Sequence, residues 1–161
     1  MNKSFLLLLL TGLILASCGS EQTEDKLKGT SMLALDVEIN APTNKVWNVL
    51  TSPEYAKILG NEFDKNAYME SDWQLGSKVY FKYEPDTTMA SGTISRLIED
   101  KLVQIDYDFD DFTYTEKFML EAKEYGCTMK LKSGPYGADY TDQIKVWGNW
   151  LRKIKVLSEA E

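Results

Sequence analysis

The chain has 161 residues, and its 25 Asp and Glu residues outnumber its 18 Lys and Arg residues, which gives a formal net charge of −7. This acidic balance argues against binding to nucleic acid and against docking on anionic lipid headgroups, because both require a basic surface. The chain has no histidine, which excludes His-based catalytic triads, His metal sites and imidazole proton shuttles.

The N-terminal segment has the organisation of a secretory signal peptide. The single positive charge of Lys3 precedes an almost unbroken run of Leu and Ile over residues 5–16. A helix of that length would rise about 18 Å, well short of the roughly 30 Å that a membrane-spanning helix must cross. The run ends in Leu15-Ala16-Ser17-Cys18, which resembles the bacterial lipobox, where the cysteine becomes the first mature residue and carries the lipid.

We therefore predict a lipoprotein signal peptide over residues 1–17 and lipidation of Cys18; an ordinary signal peptide with an incidental cysteine is the alternative. The expected location is the bacterial cell envelope, with the exported protein attached to the membrane only through its N-terminal lipid. Gly19 does not resemble the Asp-type signal that retains enterobacterial lipoproteins in the inner membrane, so the outer membrane is preferred. If Cys18 is acylated, Cys127 lacks an intramolecular partner and is expected to be a small buried hydrophobic residue.

The rest of the chain divides into a tether and one domain. Residues 18–31 carry many charges and a single Leu, so beyond the lipidated cysteine we predict a flexible tether. Residues 32–161 are long enough for one domain with its own core.

The domain is predicted to begin with a strand and two short helices. Apolar and polar residues alternate over residues 33–39, which indicates a strand. Pro42 suits the first turn of a helix, and Ser52 followed by Pro53 is an N-cap signal for a second helix that ends at Gly60.

Alternation then predicts a strand-rich middle, followed by a long helix over residues 139–158. The expected strands cover residues 73–83, 91–98, 102–109, 113–122 and 127–133. Apolar residues of the helix recur at steps of three and four, which is typical of one buried face: Tyr140, Ile144, Trp147, Leu151 and Ile154. The fold class is therefore predicted to be α+β, with about six antiparallel strands in a curved sheet that packs around the C-terminal helix.

Three motifs along the chain match a known family. They are INAPTNKVWNVLTSPEY at residues 39–55, SDWQLGSKVYF at residues 71–81 and WGNWLRKIKVLSE at residues 147–159. Their wording and order resemble the START-like (SRPBCC) superfamily, in the branch similar to the activators of heat-shock protein ATPase. The resemblance implies the helix-grip fold, in which a bent sheet wraps the last helix and an apolar cavity remains between them. Members mostly bind hydrophobic small molecules, whereas a minority catalyse cyclisation or hydrolysis and others assist chaperones, so the fold does not settle the function.

A cavity of this kind is lined by apolar side chains with a few polar anchors. The inward-facing phase of the predicted strands and helix supplies the candidate ligand-binding residues, and simple filling of the core is the alternative for each of them. The apolar candidates are Phe81, Tyr83, Ile105, Tyr107, Tyr114, Phe118, Leu120, Met129, Tyr140, Ile144, Trp147 and Leu151.

Glu116 is the polar candidate, because it shares the phase of Tyr114 and Phe118 and should point to the interior. Burial of a carboxylate is costly unless it is paired, and burial raises its pKa. Functionally, Glu116 would anchor a polar headgroup or act as a general acid or base. Structurally, it would pair with a Lys or Arg or lie in water at an edge of the sheet.

The alternating carboxylates of Asp106, Asp108 and Asp110 invite a metal interpretation. In a calcium loop that starts at Asp106, the sixth position would be Gly and the twelfth Glu, but these positions hold Asp111 and Lys117. A solvated outer face of a strand therefore explains the pattern better. We expect neither a metal nor a cofactor.

The leading functional hypothesis is an envelope lipoprotein that binds a hydrophobic or amphipathic small molecule between sheet and helix, as a carrier, sensor or scavenger. One alternative is a cyclase- or hydrolase-like enzyme that uses Glu116 and Tyr114. Another is a protein-binding accessory of envelope complexes. The sequence does not argue for an enzyme, and it identifies no protein partner.

Overall fold

The structure is a computed structural model, which describes residues 31–109 and 112–160. The predicted signal peptide and Cys18 lie outside the described residues, as does nearly all of the predicted tether. Asp110 also lies outside them. The lipidation of Cys18 thus stays a prediction.

Within the described residues, seven strands form one antiparallel sheet, and three helices accompany it. In chain order the elements are β1 (Ser31–Ile39), α1 (Thr43–Thr51), α2 (Pro53–Gly60), β2 (Ala67–Ser71), β3 (Lys78–Tyr83), β4 (Thr87–Ile98), β5 (Leu102–Phe109), β6 (Phe112–Lys123), β7 (Gly126–Tyr136) and α3 (Tyr140–Glu159). The sheet order is β1-β7-β6-β5-β4-β3-β2. This curled sheet around a long last helix confirms the predicted α+β helix-grip fold, with one strand more than the approximately six expected.

The two short helices begin where the sequence predicts. Pro42 precedes α1 with its backbone still extended, and α1 follows at once. The Ser52 hydroxyl accepts a hydrogen bond from the Glu54 backbone N–H at 3.4 Å, and Pro53 occupies the first turn of α2. The second helix ends at Gly60, where an added Cβ would lie 2.0 Å from the carbonyl oxygen of Ala67. Gly60 therefore allows α2 to lie directly against β2.

The core lies between the sheet and α3. Trp147, Trp150, Leu151 and Ile154 on α3 are buried against apolar side chains of the strands. Cys127 is also buried in this core, which agrees with its prediction as a small hydrophobic residue.

The edge of the sheet differs most from expectation. The strand expected over residues 73–83 begins only at Lys78, because Trp73 has a φ of 51° and Gly76 a φ of 84°. Both values are left-handed and incompatible with an extended strand. The segment before this turn forms β2, a five-residue edge strand that has too few residues to show a clear alternation.

Within residues 31–109 and 112–160, no helix combines the length and apolarity needed to cross a bilayer. The same part of the chain contains no group of three or more Cys, Asp or Glu side chains arranged to hold a metal ion.

A candidate ligand cavity between the sheet and α3

A cavity of about 310 Å³, open to solvent on one side, lies between the inner face of the sheet and the N-terminal half of α3, and we call it the main cavity. Five of the predicted ligand-binding residues line it: Phe81, Tyr107, Tyr114, Glu116 and Trp147. They come from β3, β5, β6 and α3, so the fold brings together residues that are far apart in the sequence.

The other predicted residues lie outside the lining of the main cavity. Ile105, Leu120, Met129 and Leu151 are buried in the core, and Phe118 lines a neighbouring, smaller cavity. Tyr83, Tyr140 and Ile144 are partly buried. Burial places Ile105, Leu120, Met129 and Leu151 in the core, and contact of any of the thirteen candidates with a ligand stays a prediction.

Glu116 reaches the main cavity from an interior strand. It lies opposite Ile105 on β5 and opposite Ser133 on β7. It is thus not at an edge of the sheet, and no Lys or Arg within the described residues forms an ion pair with it. Its carboxylate instead accepts a hydrogen bond from the Tyr107 hydroxyl at 3.2 Å.

Three hydroxyl groups beside Glu116 are bonded to one another, and we call them the hydroxyl ring. Tyr114 Oη lies 2.7 Å from Ser133 Oγ, Ser133 Oγ lies 2.7 Å from Tyr136 Oη, and the two tyrosine hydroxyls also share a hydrogen bond. The indole N–H of Trp147 donates to Tyr136 Oη at 2.6 Å. The sheet and α3 are therefore joined by a polar contact inside an apolar interior.

Burial is the largest influence on the pKa values of Glu116 and of the tyrosines around it. Burial raises the pKa of Glu116 to about 7, while the neighbouring hydroxyls of Tyr107 and Tyr114 oppose the shift. Burial and the charge of Glu116 raise the pKa of Tyr107 and Tyr114 well above the usual tyrosine range, and burial also raises the pKa of Tyr136. At neutral pH the three phenols are thus protonated, whereas Glu116 is close to its midpoint.

A glycine on the neighbouring strand makes room for Tyr107. A Cβ at Gly92 would lie 2.6 Å from Ile105 Cγ2 and 2.9 Å from Tyr107 Cε1. Because Gly92 has no side chain, one edge of the Tyr107 ring lies over it, while the Tyr107 hydroxyl is directed to Glu116.

Tyr136 was missed in the sequence for a geometric reason. The expected strand stopped at Ser133, before Gly134 and Pro135. In the structure β7 continues to Tyr136, and its pairing with β1 shifts register between Ser31 and Leu33. Three residues of β7 thus oppose two of β1, so Tyr136 and Ser133 share a face despite their odd spacing.

Two further residues separate the main cavity from the smaller one. Phe63, in the loop after α2, and Met69, on β2, line both cavities, and the smaller cavity has a volume of about 220 Å³. The Phe63 ring packs edge-on against Trp147 with a centroid distance of 4.7 Å. No periodicity in the sequence marks Phe63, because it belongs to neither a helix nor a strand.

The acidic residues of β5 face away from the cavity. Asp106 accepts hydrogen bonds from Thr115 Oγ1 at 2.8 Å and from Gln104 Nε2 at 3.1 Å. Asp108 accepts one from Thr113 Oγ1 at 3.1 Å. Both lie opposite to the buried Ile105 and Tyr107, as expected for an outer strand face.

The comparisons with known proteins concern most of the chain. The family model described as Activator of Hsp90 ATPase homolog 1-like protein matches residues 40–159. No curated protein matches the chain.

Solved structures share the fold at low sequence identity. Protein CV1439 from Chromobacterium violaceum is 15% identical with a TM-score of 0.65, and the match covers 82% of this chain and 100% of that one. The Aha1 dimer from Colwellia psychrerythraea is 17% identical with a TM-score of 0.64, covering 81% and 97%. CalU16 from Micromonospora echinospora is 16% identical with a TM-score of 0.58, covering 81% and 76%.

Proposed function

The chain belongs to the Activator of Hsp90 ATPase homolog 1-like family, and from that premise we propose that its folded domain binds a small hydrophobic or amphipathic molecule in the main cavity. The observation that carries the proposal is a cavity of about 310 Å³ whose described lining includes eight aromatic side chains and the two carboxyl groups of Glu116 and Asp139. Ligand sites are typically concave, mostly apolar and about 300–1,000 Å³ in volume, with a few polar anchors. The main cavity has these properties and suits a small ligand.

Uptake of the neutral fluorescent probe N-phenyl-1-naphthylamine tests this proposal, together with native mass spectrometry of the purified protein for molecules that it carries. We expect saturable binding of the probe. Ala90→Leu should weaken it at least about tenfold, because Ala90 lines the main cavity and a larger side chain would fill it. Ala34→Leu, at an exposed position of β1, is the matched control and should bind normally. A protein that is isolated empty and takes up no probe would contradict the proposal.

We further propose that Cys18 is lipidated and holds this ligand-binding domain at the bacterial envelope, with the outer membrane preferred. The lipobox-like Leu15-Ala16-Ser17-Cys18 supports the proposal. Metabolic labelling with a radioactive fatty acid should mark the protein, and Cys18→Ala should abolish both the label and recovery in the membrane fraction. Cys127→Ala should leave both unchanged. Equal labelling of the Cys18→Ala variant would exclude this anchor.

One observation favours an enzyme as the second candidate. Glu116 is a carboxylate with a pKa of about 7 beside three tyrosine hydroxyls in a cavity, and a general base works best when its pKa is near the operating pH. Hydrolysis of a panel of p-nitrophenyl esters tests this candidate. The rate should rise as pH increases through 7, and Glu116→Gln should remove that rise. Turnover that survives Glu116→Gln unchanged would eliminate the candidate.

A further inference from the structure

The hydroxyl ring has no hydrogen left to donate to a ligand. Each hydroxyl of Tyr114, Ser133 and Tyr136 carries one hydrogen, and the three contacts within the ring require three. If Tyr114 turned its hydrogen toward the nearby Glu116 instead, one contact of the ring would lose its hydrogen and Glu116 would use it. Either arrangement leaves the ring with lone pairs alone.

The two other donors beside the ring are also used. The Trp147 N–H is directed to Tyr136, and the Tyr107 O–H is directed to Glu116. Ser133 is fully buried and does not line the main cavity, and Tyr136 already accepts from Trp147 and from a ring neighbour. The polar groups left to a ligand beside the ring are therefore acceptors: the Glu116 carboxylate and the remaining lone pair of Tyr114.

The side chains that line the main cavity also favour a cationic ligand. Among the described residues that line the main cavity, Glu116 and Asp139 are acidic and none is Lys or Arg. Eight of the lining side chains are aromatic, including Phe81 on β3 and the stacked pair Phe109 and Phe112, whose centroids are 5.0 Å apart. Aromatic faces attract cations, and more strongly where water is excluded.

We propose that the main cavity takes a hydrophobic amine in its protonated form, with the ammonium group donating to Glu116 and the alkyl or aryl body against the aromatic walls. The inference rests on the proposed function and names the ligand class. An ammonium group brings three donors to a site of acceptors, whereas a carboxylate or phosphate would place acceptors against acceptors. A neutral alcohol supplies one donor and no charge.

Protonation of Glu116 competes with such a ligand. The titratable or polar groups that face Glu116 are Tyr107 from β5, Tyr114 from β6, Ser133 and Tyr136 from β7, and none of these is cationic. Asp139 and Gln143 line the cavity beside α3 and are bonded to each other. An ammonium ligand needs the ionised carboxylate, so its affinity should rise with pH through the pKa of Glu116, about 7.

Three ligands with one chain length test the proposal: n-octylammonium, 1-octanol and octanoate, each titrated into the full chain by calorimetry at pH 8. We expect octylammonium to bind at least about tenfold more tightly than octanol, and octanoate to bind most weakly. Glu116→Gln should remove the preference for the amine while octanol binding persists. Glu99→Gln, which alters an exposed carboxylate in the β4–β5 turn, should leave the preference intact.

A pH series on the unmodified protein gives the same information without a variant that has to fold. Between pH 8 and pH 5.5 the affinity for octylammonium should fall at least about tenfold as Glu116 takes up a proton, and octanol affinity should stay constant. Octanol or octanoate binding as tightly as the amine at pH 8 would overturn the ligand class and leave the proposed cavity function standing. Failure of all three ligands and of N-phenyl-1-naphthylamine to bind would overturn both.

Discussion

The two halves of α3 meet the rest of the molecule in different ways. In the C-terminal half, Ile154 is fully buried, and Glu159 accepts a hydrogen bond from the Asn40 backbone N–H at 2.7 Å. Lys155 also donates to the Glu38 carbonyl oxygen at 2.6 Å. In the N-terminal half, Ile144 is only partly buried, and the neighbouring turn borders the main cavity. One half of the same helix therefore secures the fold, while the other leaves space beside the sheet.

The largest expected difference between the halves is in stability. Ile154→Ala should lower the free energy of unfolding by about 3 kcal/mol, because it removes a fully buried side chain and leaves a void. The same substitution at Ile144 should cost about 1 kcal/mol, because that side chain is partly solvated in the folded protein. Urea denaturation of the two variants measures both values. Equal costs would show that the N-terminal half is packed as firmly as the C-terminal half.

The second-largest expected effect is a pH dependence of stability, which arises from Glu116 at the main cavity. The pKa of Glu116 is about 7 in the folded protein and 4.5 as its ordinary value, so the native state binds the proton more tightly than the unfolded chain. This contribution to stability is complete below pH 4.5 and is lost as pH rises through 7, by about 2 kcal/mol between pH 5 and pH 7.5.

Chemical denaturation of the unmodified chain and of Glu116→Gln at these two pH values tests whether stability falls as pH rises. The variant should lose this part of the pH dependence, and Glu99→Gln should retain it. A stability that rises over this interval by the same amount in the unmodified chain and in Glu116→Gln would contradict a Glu116 whose pKa is raised in the absence of a cationic partner.

The smallest effect is expected at the C-terminal end. Glu159→Gln weakens the contacts of this carboxylate with Asn40 and Lys155, which hold the pKa of Glu159 below its ordinary value. Because the site is exposed, only the last turn of α3 should open more often. Amide hydrogen exchange should become faster there and stay unchanged around Trp147. Faster exchange along the whole helix would show that the two halves are not independent.

The sequence predicted the elements whose periodicity is strong and missed those set by local irregularity. The apolar stripe from Tyr140 to Ile154 defined α3, and strand phase alone placed Glu116 on the inner face. Tyr136 was not predicted to face the cavity, because a bulge changes the phase of β7. The strand β2 was not predicted, because its five edge residues show little alternation. The hydroxyl ring joins residues from two strands, which no spacing along the chain reveals.

The two cavities have two lining side chains in common. Phe63 and Met69 line both cavities, so the barrier to a longer ligand includes two side chains that can change rotamer. In a series of alkyl chains of increasing length, affinity should therefore grow with each methylene, reach a plateau when the chain meets the Phe63 ring, and grow again once that ring has rotated. The proposed ligand site would thus discriminate ligand length by the cost of turning the Phe63 ring.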